Sequence, residues 1–315
     1  MTIRALAASA VSVAMVSTAA LATAPIVAPA AIVPSVIGPT EVNAPPFGYI
    51  ELFGGGFLGS ESGSFFVGTY DENWKGLLFG GAGRVALQPS MNFAMQLDTW
   101  AYHWSGHTDF VYHDVGDSFD DWNFSRNVVG AGSHLMLGGP AGGLGALVSL
   151  GSVWSAVDGS GSRANFYNLG IEAAINAERW RMHAQGGLTR PFGPVLFPES
   201  GTRYAQLVVA VYPRPNLALS LTVGVERTLQ FLFASQGSNW GARIELQPEG
   251  RRAAVFVAYQ GWAYESASIS RSGAGTEHAV IVGLRLLGGA PTLQALDEAV
   301  GLADYNPIFG VHFPH

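Results

Sequence analysis

The sequence predicts an all-β fold: an antiparallel transmembrane β-barrel of about twelve strands with a short C-terminal extension. Three observations carry this prediction. About twelve segments alternate apolar with polar or small residues, tight turns alternate with longer polar loops, and no apolar run beyond residue 24 is long enough for a spanning helix. The bilayer interior offers backbone groups no water, so only helices and closed barrels cross it. A tilted strand needs about 9–11 residues to do so, a helix about 20.

Strands are read at 48–59, 77–88, 91–105, 127–138, 143–156, 164–177, 179–190, 202–212, 217–231, 238–247, 253–265 and 276–287. Pro89-Ser90, Gly139-Pro140-Ala141-Gly142, Glu178, Pro213-Arg214-Pro215-Asn216 and Pro248-Glu249-Gly250 form the tight connections. Segments 60–76, 106–126, 157–163, 191–201, 232–237 and 266–275 form the long ones. Short periplasmic turns and longer external loops are the expected asymmetry of a membrane barrel. An even strand number returns both ends of the barrel to the periplasmic side.

Alternation assigns faces, because side chains two apart on a strand point the same way. In the second strand Leu77, Phe79, Val85 and Leu87 oppose Arg84 and Gln88; in the third, Met91, Phe93, Met95 and Leu97 oppose Asn92, Gln96 and Asp98. Tyr167, Leu169, Ile171 and Ile175 oppose Asn168, Glu172 and Asn176, and Leu217, Leu219, Leu221 and Val223 oppose Ser220, Thr222 and Glu226. A soluble barrel would turn the apolar face inward. Against that, the polar face is rich in Gly and Ala: Gly80, Ala82, Gly130, Gly132, Gly170, Ala174, Gly224, Gly241 and Gly283. Aromatics also gather where an apolar exterior would meet headgroups, with Trp154, Tyr167, Phe231 and Trp240 near the long-loop ends and Phe93 and Trp180 near the short turns. Such girdles are expected at membrane interfaces. Arg227 breaks the pattern, since it shares the outward face of Val225; it either snorkels to outer-leaflet phosphates or marks a bulge.

Composition fits this reading. The 315 residues are 48% hydrophobic and 12% charged, with 41 glycines and no cysteine, and aromatic and β-branched residues argue against disorder. A net charge of −7 gives no broad basic surface for nucleic acid. Absent cysteine excludes disulfides and thiolate metal sites. Arg4, the small apolar run 5–23 and Ala22-Thr23-Ala24 read as a signal peptide over 1–24, cleaved after Ala24. Residues 25–46, with Pro25, Pro29, Pro34, Pro39, Pro45 and Pro46, read as a periplasmic linker, and 47–288 as the barrel. In the extension 289–315, Leu293, Leu296 and Leu302 are spaced as in a short amphipathic helix. Docking at the barrel mouth and an unstructured tail are both open. Docking is favoured because Tyr305, Ile308, Phe309 and Phe313 would otherwise be exposed.

From Phe47 to Gly288 the chain resembles the Gram-negative outer-membrane β-barrel proteins, most of all the small porin-like channels of about twelve strands. The resemblance rests on the signal segment, the hairpins and a last strand, His278-Val280-Val282-Leu284-Leu286, apolar in the manner read by the barrel-assembly machinery. It implies residence in the cell outer membrane among lipid and lipopolysaccharide, insertion by that machinery, and no cofactor. Members commonly end on the last strand with an aromatic residue, whereas this chain continues to Phe313-Pro314-His315.

The inward face carries Glu51, Asp98, Glu172, Glu226 and Glu245 against Arg84, Arg181, Arg243 and Arg285, with His134 and His183. Enclosed charges must pair or be hydrated. Read as pore-lining, they predict a narrow passive channel for small hydrophilic solutes, weakly selective because the charges nearly balance. Read as a closed core, they only hold the barrel together. A second function is structural or adhesive, through the acidic loop carrying Asp109, Asp114, Asp117, Asp120 and Asp121 beside Asn123. Carboxylates can hold a hard cation, but the EF-hand glutamate is missing, and no metal site is assigned. A minor alternative is an acyl hydrolase: His103 and Ser105 share an outward face, with Asn127 on the next strand. This resembles the His-x-Ser arrangement of outer-membrane phospholipases, though Gly106-His107 follows the serine where that family has Asn-Gly. A non-enzyme is the expectation.

Overall fold

The computed structural model describes residues 46–65, 68–90, 92–113, 118–139, 141–192, 201–230, 233–268 and 271–300. The signal segment 1–24, the linker to residue 45, Asp114, Asp117, Phe231 and the aromatic residues Tyr305, Phe309 and Phe313 lie outside the described residues.

Alternating side chains with no interruption by a helix give twelve antiparallel strands. They are β1 (Phe47–Phe65), β2 (Gly68–Ser90), β3 (Phe93–His113), β4 (Ser118–Gly139), β5 (Gly142–Val157), β6 (Ser160–Ala177), β7 (Trp180–Phe192), β8 (Gly201–Arg214), β9 (Leu217–Gln230), β10 (Phe233–Leu246), β11 (Ala253–Ser268) and β12 (Arg271–Gly288). Each pairs with its sequence neighbours, and β1 pairs with β12, so the sheet is a closed barrel. Glu51 stands opposite Arg285 across that closing seam. Among the described residues one helix, α1 (Leu293–Val300), follows β12.

The faces follow the alternation. Ile171 (74% exposed), Leu144 (70%), Leu137 (66%) and Leu77 (64%) belong to a continuous apolar exterior, while Glu51, His134, Glu172 and Arg285 are buried inside. Polar inside and apolar outside is the inverse of a soluble barrel, and it is the arrangement a bilayer stabilises. The fold is a closed twelve-stranded antiparallel barrel with an apolar exterior.

Several connections differ from expectation. The segments read as loops 60–76 and 106–126 are mostly strand: β1 and β2 pair out to Phe65↔Gly68, and β3 and β4 out to Tyr112↔Ser118. Above the apolar band the outward positions become polar, with Asp71, Asn73, Lys75, Asp109 and Asp121 exposed, while Tyr70, Phe110 and Trp122 pack on the inner face. The apolar-outside alternation that marks a lipid-facing strand is therefore lost although the hydrogen-bonded ladder continues. The segment 157–163 contains a two-residue turn, Asp158-Gly159, in which both residues have positive φ (44° and 84°). That is the backbone a tight hairpin needs, and Asp-Gly supplies it at low steric cost. At Arg227 there is no bulge: β9 keeps continuous register with β8 and β10, and the arginine is exposed on the outer face.

Candidate functional site within the barrel

The lumen is built in layers, beginning at the periplasmic mouth. There Ala86, Ala210, Ala218 and Ala254 point inward from β2, β8, β9 and β11, and their small side chains leave room for α1. Leu293 and Leu296, three apart and so on one helix face, are fully buried among those alanines, Tyr49, Tyr212 and Leu287. Thr292 caps the helix, its hydroxyl accepting from the Ala295 N–H at 3.2 Å. The Tyr212 hydroxyl donates to Asp297 at 2.6 Å, and Arg285 lies 3.6 Å from the same carboxylate. Gln247 donates to the Pro291 carbonyl at 3.0 Å. The C-terminal extension therefore begins as a stopper in the mouth; Tyr305, Ile308, Phe309 and Phe313, on which the expectation of docking rested, lie outside the described residues.

Above α1 lie two ionic belts. In the first, Arg285 donates to Glu51 at 3.0 Å and lies 3.3 Å from Glu245. Arg243 reaches Glu51 at 2.8 Å and Glu245 at 2.9 Å. The Glu51–Arg243 contact joins β1 to β10 past two intervening strands. The Arg243 guanidinium also sits 3.6 Å from the Phe256 ring centre. In the second belt Arg84 donates to Asp98 at 2.9 Å, His134 Nε2 lies 3.0 Å from Asp98 and its Nδ1 2.9 Å from Glu172, and His183 is 3.2 Å from Glu172. Of the eleven lumenal residues read from sequence, nine enter these two belts. Arg181 is buried and donates to Asn176 at 2.8 Å, and Glu226 joins neither belt but lines the cavity described below. Glu172 and Glu226 do not touch Arg181 or Arg243. The belts run along the wall and across one arc of it, with no bridge among those four.

The inward glycines have a specific use. Gly76 faces Phe57, Gly80 faces Tyr102, Gly106 faces Phe124, Gly130 faces Trp100, Gly151 faces Phe166, Gly275 faces Tyr264 and Gly283 faces Phe256, each directly across a strand pair. A Cβ at any of them would collide with the opposing ring. The rings therefore lie down over the glycines, along the wall. Gly80, Gly130 and Gly283, which the sequence placed on the polar face, are thus seats for aromatic side chains. Phe57, Leu78, Trp104, Val128, Val153 and Phe166 pack into one apolar cluster inside the barrel. A cavity of about 200 Å³ remains, its lining including Trp100, His134, Tyr204, Gln206, Glu226 and Arg243.

At the external end lies a cluster that the sequence reading missed. Arg271 pairs with Glu61 at 3.0 Å and Glu72 at 3.1 Å and donates to the Tyr70 hydroxyl at 2.8 Å, while Tyr70 and Tyr264 both donate to Glu61. Burial pushes the Glu72 carboxyl above its ordinary value, with Arg271 pulling it the other way, and burial likewise raises the Tyr70 hydroxyl. Glu61 and Glu72 continue the inward phase of Glu51 and Arg84, which was the available signal. It was masked by assigning those segments to loops.

On the outside, Trp180 is exposed near the periplasmic end, Trp154 stacks with Arg163 at 4.9 Å, and Tyr167 lies against Phe192 at 6.4 Å. Trp240 meets His278 edge-on at 6.1 Å, and Phe93 sits half-buried at the start of β3. All three proposed hydrolase residues fall on one outer face, but the geometry joins only two. His103 Nδ1 is 2.8 Å from Asn127 Oδ1 and its ring packs on Phe79, whereas Ser105 makes no hydrogen bond to His103 among the described residues. In the outer ribbon Asp109 faces Asp121, and His107 lies 3.1 Å from Asp109 and 3.8 Å from Asp121. Asp120 stands opposite Phe110, and among the described residues no group fit to hold a metal ion forms.

No protein-family model and no curated protein matches the chain. Solved structures resemble it in fold. An outer membrane channel from Pseudomonas putida F1 aligns at 12% identity over 77% of this chain and 96% of its own, with a TM-score of 0.49. The translocator domain of the autotransporter NalP from Neisseria meningitidis aligns at 13% identity over 75% and 88%, with a TM-score of 0.41. The outer membrane protease OmpT from Escherichia coli aligns at 8% identity over 78% and 98%, with a TM-score of 0.38.

Proposed function

We propose that this protein resides in the cell outer membrane as a channel for small hydrophilic solutes, closed on its periplasmic side by α1. The observation that carries this reading is a cavity with charged and amide walls lying behind a short helix that belongs to no strand pair. The helix is held by two leucines, by Asp297 and by hydrogen bonds from Gln294 to the Pro215 and Glu178 carbonyls and from Gln247 to that of Pro291, an attachment smaller than the ladders of the wall. Near balance of charge in the ionic belts supports weak selectivity. Proteoliposomes swollen in isosmotic sugars test the reading: the Leu293→Asp/Leu296→Asp protein is expected to admit small sugars faster than the natural chain, and equal exclusion by both argues against a channel.

A second reading is a structural or adhesive barrel working through the β3–β4 ribbon. It is favoured by the mutual pairing of nearly all lumenal charges and by the projection of that ribbon beyond the apolar band. Shortening 107–125 would then abolish surface binding without altering solute entry. On either reading the protein is not an enzyme; loss of detergent-activated phospholipid hydrolysis in Ser105→Ala would reverse that statement.

A further inference from the structure

The arginines of the described residues divide by position. Six enter the lumen (Arg84, Arg126, Arg181, Arg243, Arg271, Arg285), and four sit at periplasmic turns (Arg179, Arg214, Arg251, Arg252). The other four are Arg163, Arg190, Arg203 and Arg227. They lie on the consecutive strands β6, β7, β8 and β9, near the external end of each, and all are exposed. Phase places them outside: Arg163 shares a face with Leu169 and Ile171, Arg203 with Leu207 and Val209, and Arg227 with Val223 and Val225. They fall near the external limit of the outward apolar run, with Phe192 and Leu229 one outward position further on β7 and β9, which is headgroup level for a barrel seated by its apolar band.

The register crowds them. Arg203 stands directly opposite Arg227, and Arg190 opposite Tyr167. Like charges facing each other across strands are destabilising unless something anionic lies between them. Among the described residues none of the four makes an ion pair with a carboxylate. Gln236, which flanks Arg227 on β10, bonds Glu265 instead, and Arg163 stacks on Trp154. The other side of the barrel carries the opposite sign at the same end, with Asp71, Asp109 and Asp121 exposed on β2, β3 and β4. The external belt is therefore electrostatically two-sided, and its basic arc is the one flanked by interfacial aromatics.

We propose that Arg163, Arg190, Arg203 and Arg227 form a docking surface for the phosphate groups of an outer-leaflet glycolipid. Guanidinium groups bind phosphate through paired, charge-assisted hydrogen bonds, and an anion lying over Arg203 and Arg227 relieves their opposition. The acyl chains of the same molecule lie along Leu169, Ile171, Val223 and Val225 below. The inference rests on the outer-membrane placement and is independent of whether the lumen conducts.

The test measures binding of diphosphorylated lipid A to the full-length protein in non-ionic detergent, with retention of the folded form checked by heat-modifiable gel migration. Replacing the four arginines with glutamine is expected to weaken binding by about ten-fold or more, the scale of one lost charged hydrogen bond. Arg251→Gln/Arg252→Gln, at a periplasmic turn, is expected to bind as the natural protein does. Equal binding by the four-fold variant overturns the proposal, as does equal binding of dephosphorylated lipid. Competition by inorganic phosphate at matched concentration overturns the lipid assignment. Failure of binding in a protein that still fractionates with the outer membrane rejects the docking surface alone; failure to fractionate there rejects the placement.

Discussion

Glu51 on the first strand and Arg285 on the last stand opposite each other where the barrel closes, with Arg285 donating to Glu51 at 3.0 Å. The same guanidinium lies 3.3 Å from Glu245 and 3.6 Å from Asp297 of α1, so one cation ties the seam, the neighbouring wall and the stopper together. Removing it leaves three carboxylates clustered and short of cations. Arg285→Ala is expected to destabilise the barrel by about 3–5 kcal/mol, the usual cost of stranding buried charge. Urea unfolding in lipid vesicles, followed by tryptophan fluorescence, measures this, and a loss under about 1 kcal/mol would show that the seam does not depend on the pair.

The external clasp makes a separable prediction. Arg271→Ala removes the shared partner of Glu61 and Glu72 while leaving the first ionic belt intact. Hydrogen exchange should quicken at the outer ends of β1 and β12 and stay unchanged near Glu51. Uniform quickening along both strands would mean the seam opens as one unit.

The glycine seats predict an asymmetric mutational pattern. Gly130→Val and Gly283→Val force a side chain into the rings of Trp100 and Phe256 and should each cost about 1–3 kcal/mol as overpacking. Gly54→Ala, whose added carbon would meet nothing nearer than 3.6 Å, should stay within about 0.5 kcal/mol. The same urea series scores all three, and equal effects would mean that the rings are not seated there.

These seats show where sequence reading stops. The alternation of Leu77, Phe79, Val85 and Leu87 is legible because lipid touches one face only, and it places Glu51, Arg84, Glu172 and Arg285 inside. Nothing local marks Gly283 as the seat of Phe256, because that relationship exists only once β11 and β12 are in register. Asp71 and Asn73 lie above the apolar band, where the outward face meets water while Glu61 and Glu72 stay buried inside, so the strands that carry them lack the apolar outer face and read as loops. Arg227 looked like a phase error as a single residue; beside Arg203 in the register it becomes half of a basic pair. Leu293 and Leu296 announced a helix, but its seat among four alanines from four strands is tertiary.

Attachment of α1 can be probed without changing the wall. Asp297 is held by the Tyr212 hydroxyl at 2.6 Å. Asp297→Asn weakens this bond and the neighbouring contact with Arg285 by about 1–3 kcal/mol together. A cysteine at Leu296 should then react with a maleimide at least several-fold faster in the Asp297→Asn background than alone. Identical rates would place the hold on the leucines instead.

Single-channel recording in planar bilayers addresses the central claim, that a solute path exists behind α1 and is closed by it. The natural chain should show rare, brief openings, and the protein lacking 289–315 should show frequent, larger steps with nearly equal cation and anion currents. Silence from both proteins, with each confirmed as a folded barrel, would contradict the account and leave a closed structural core.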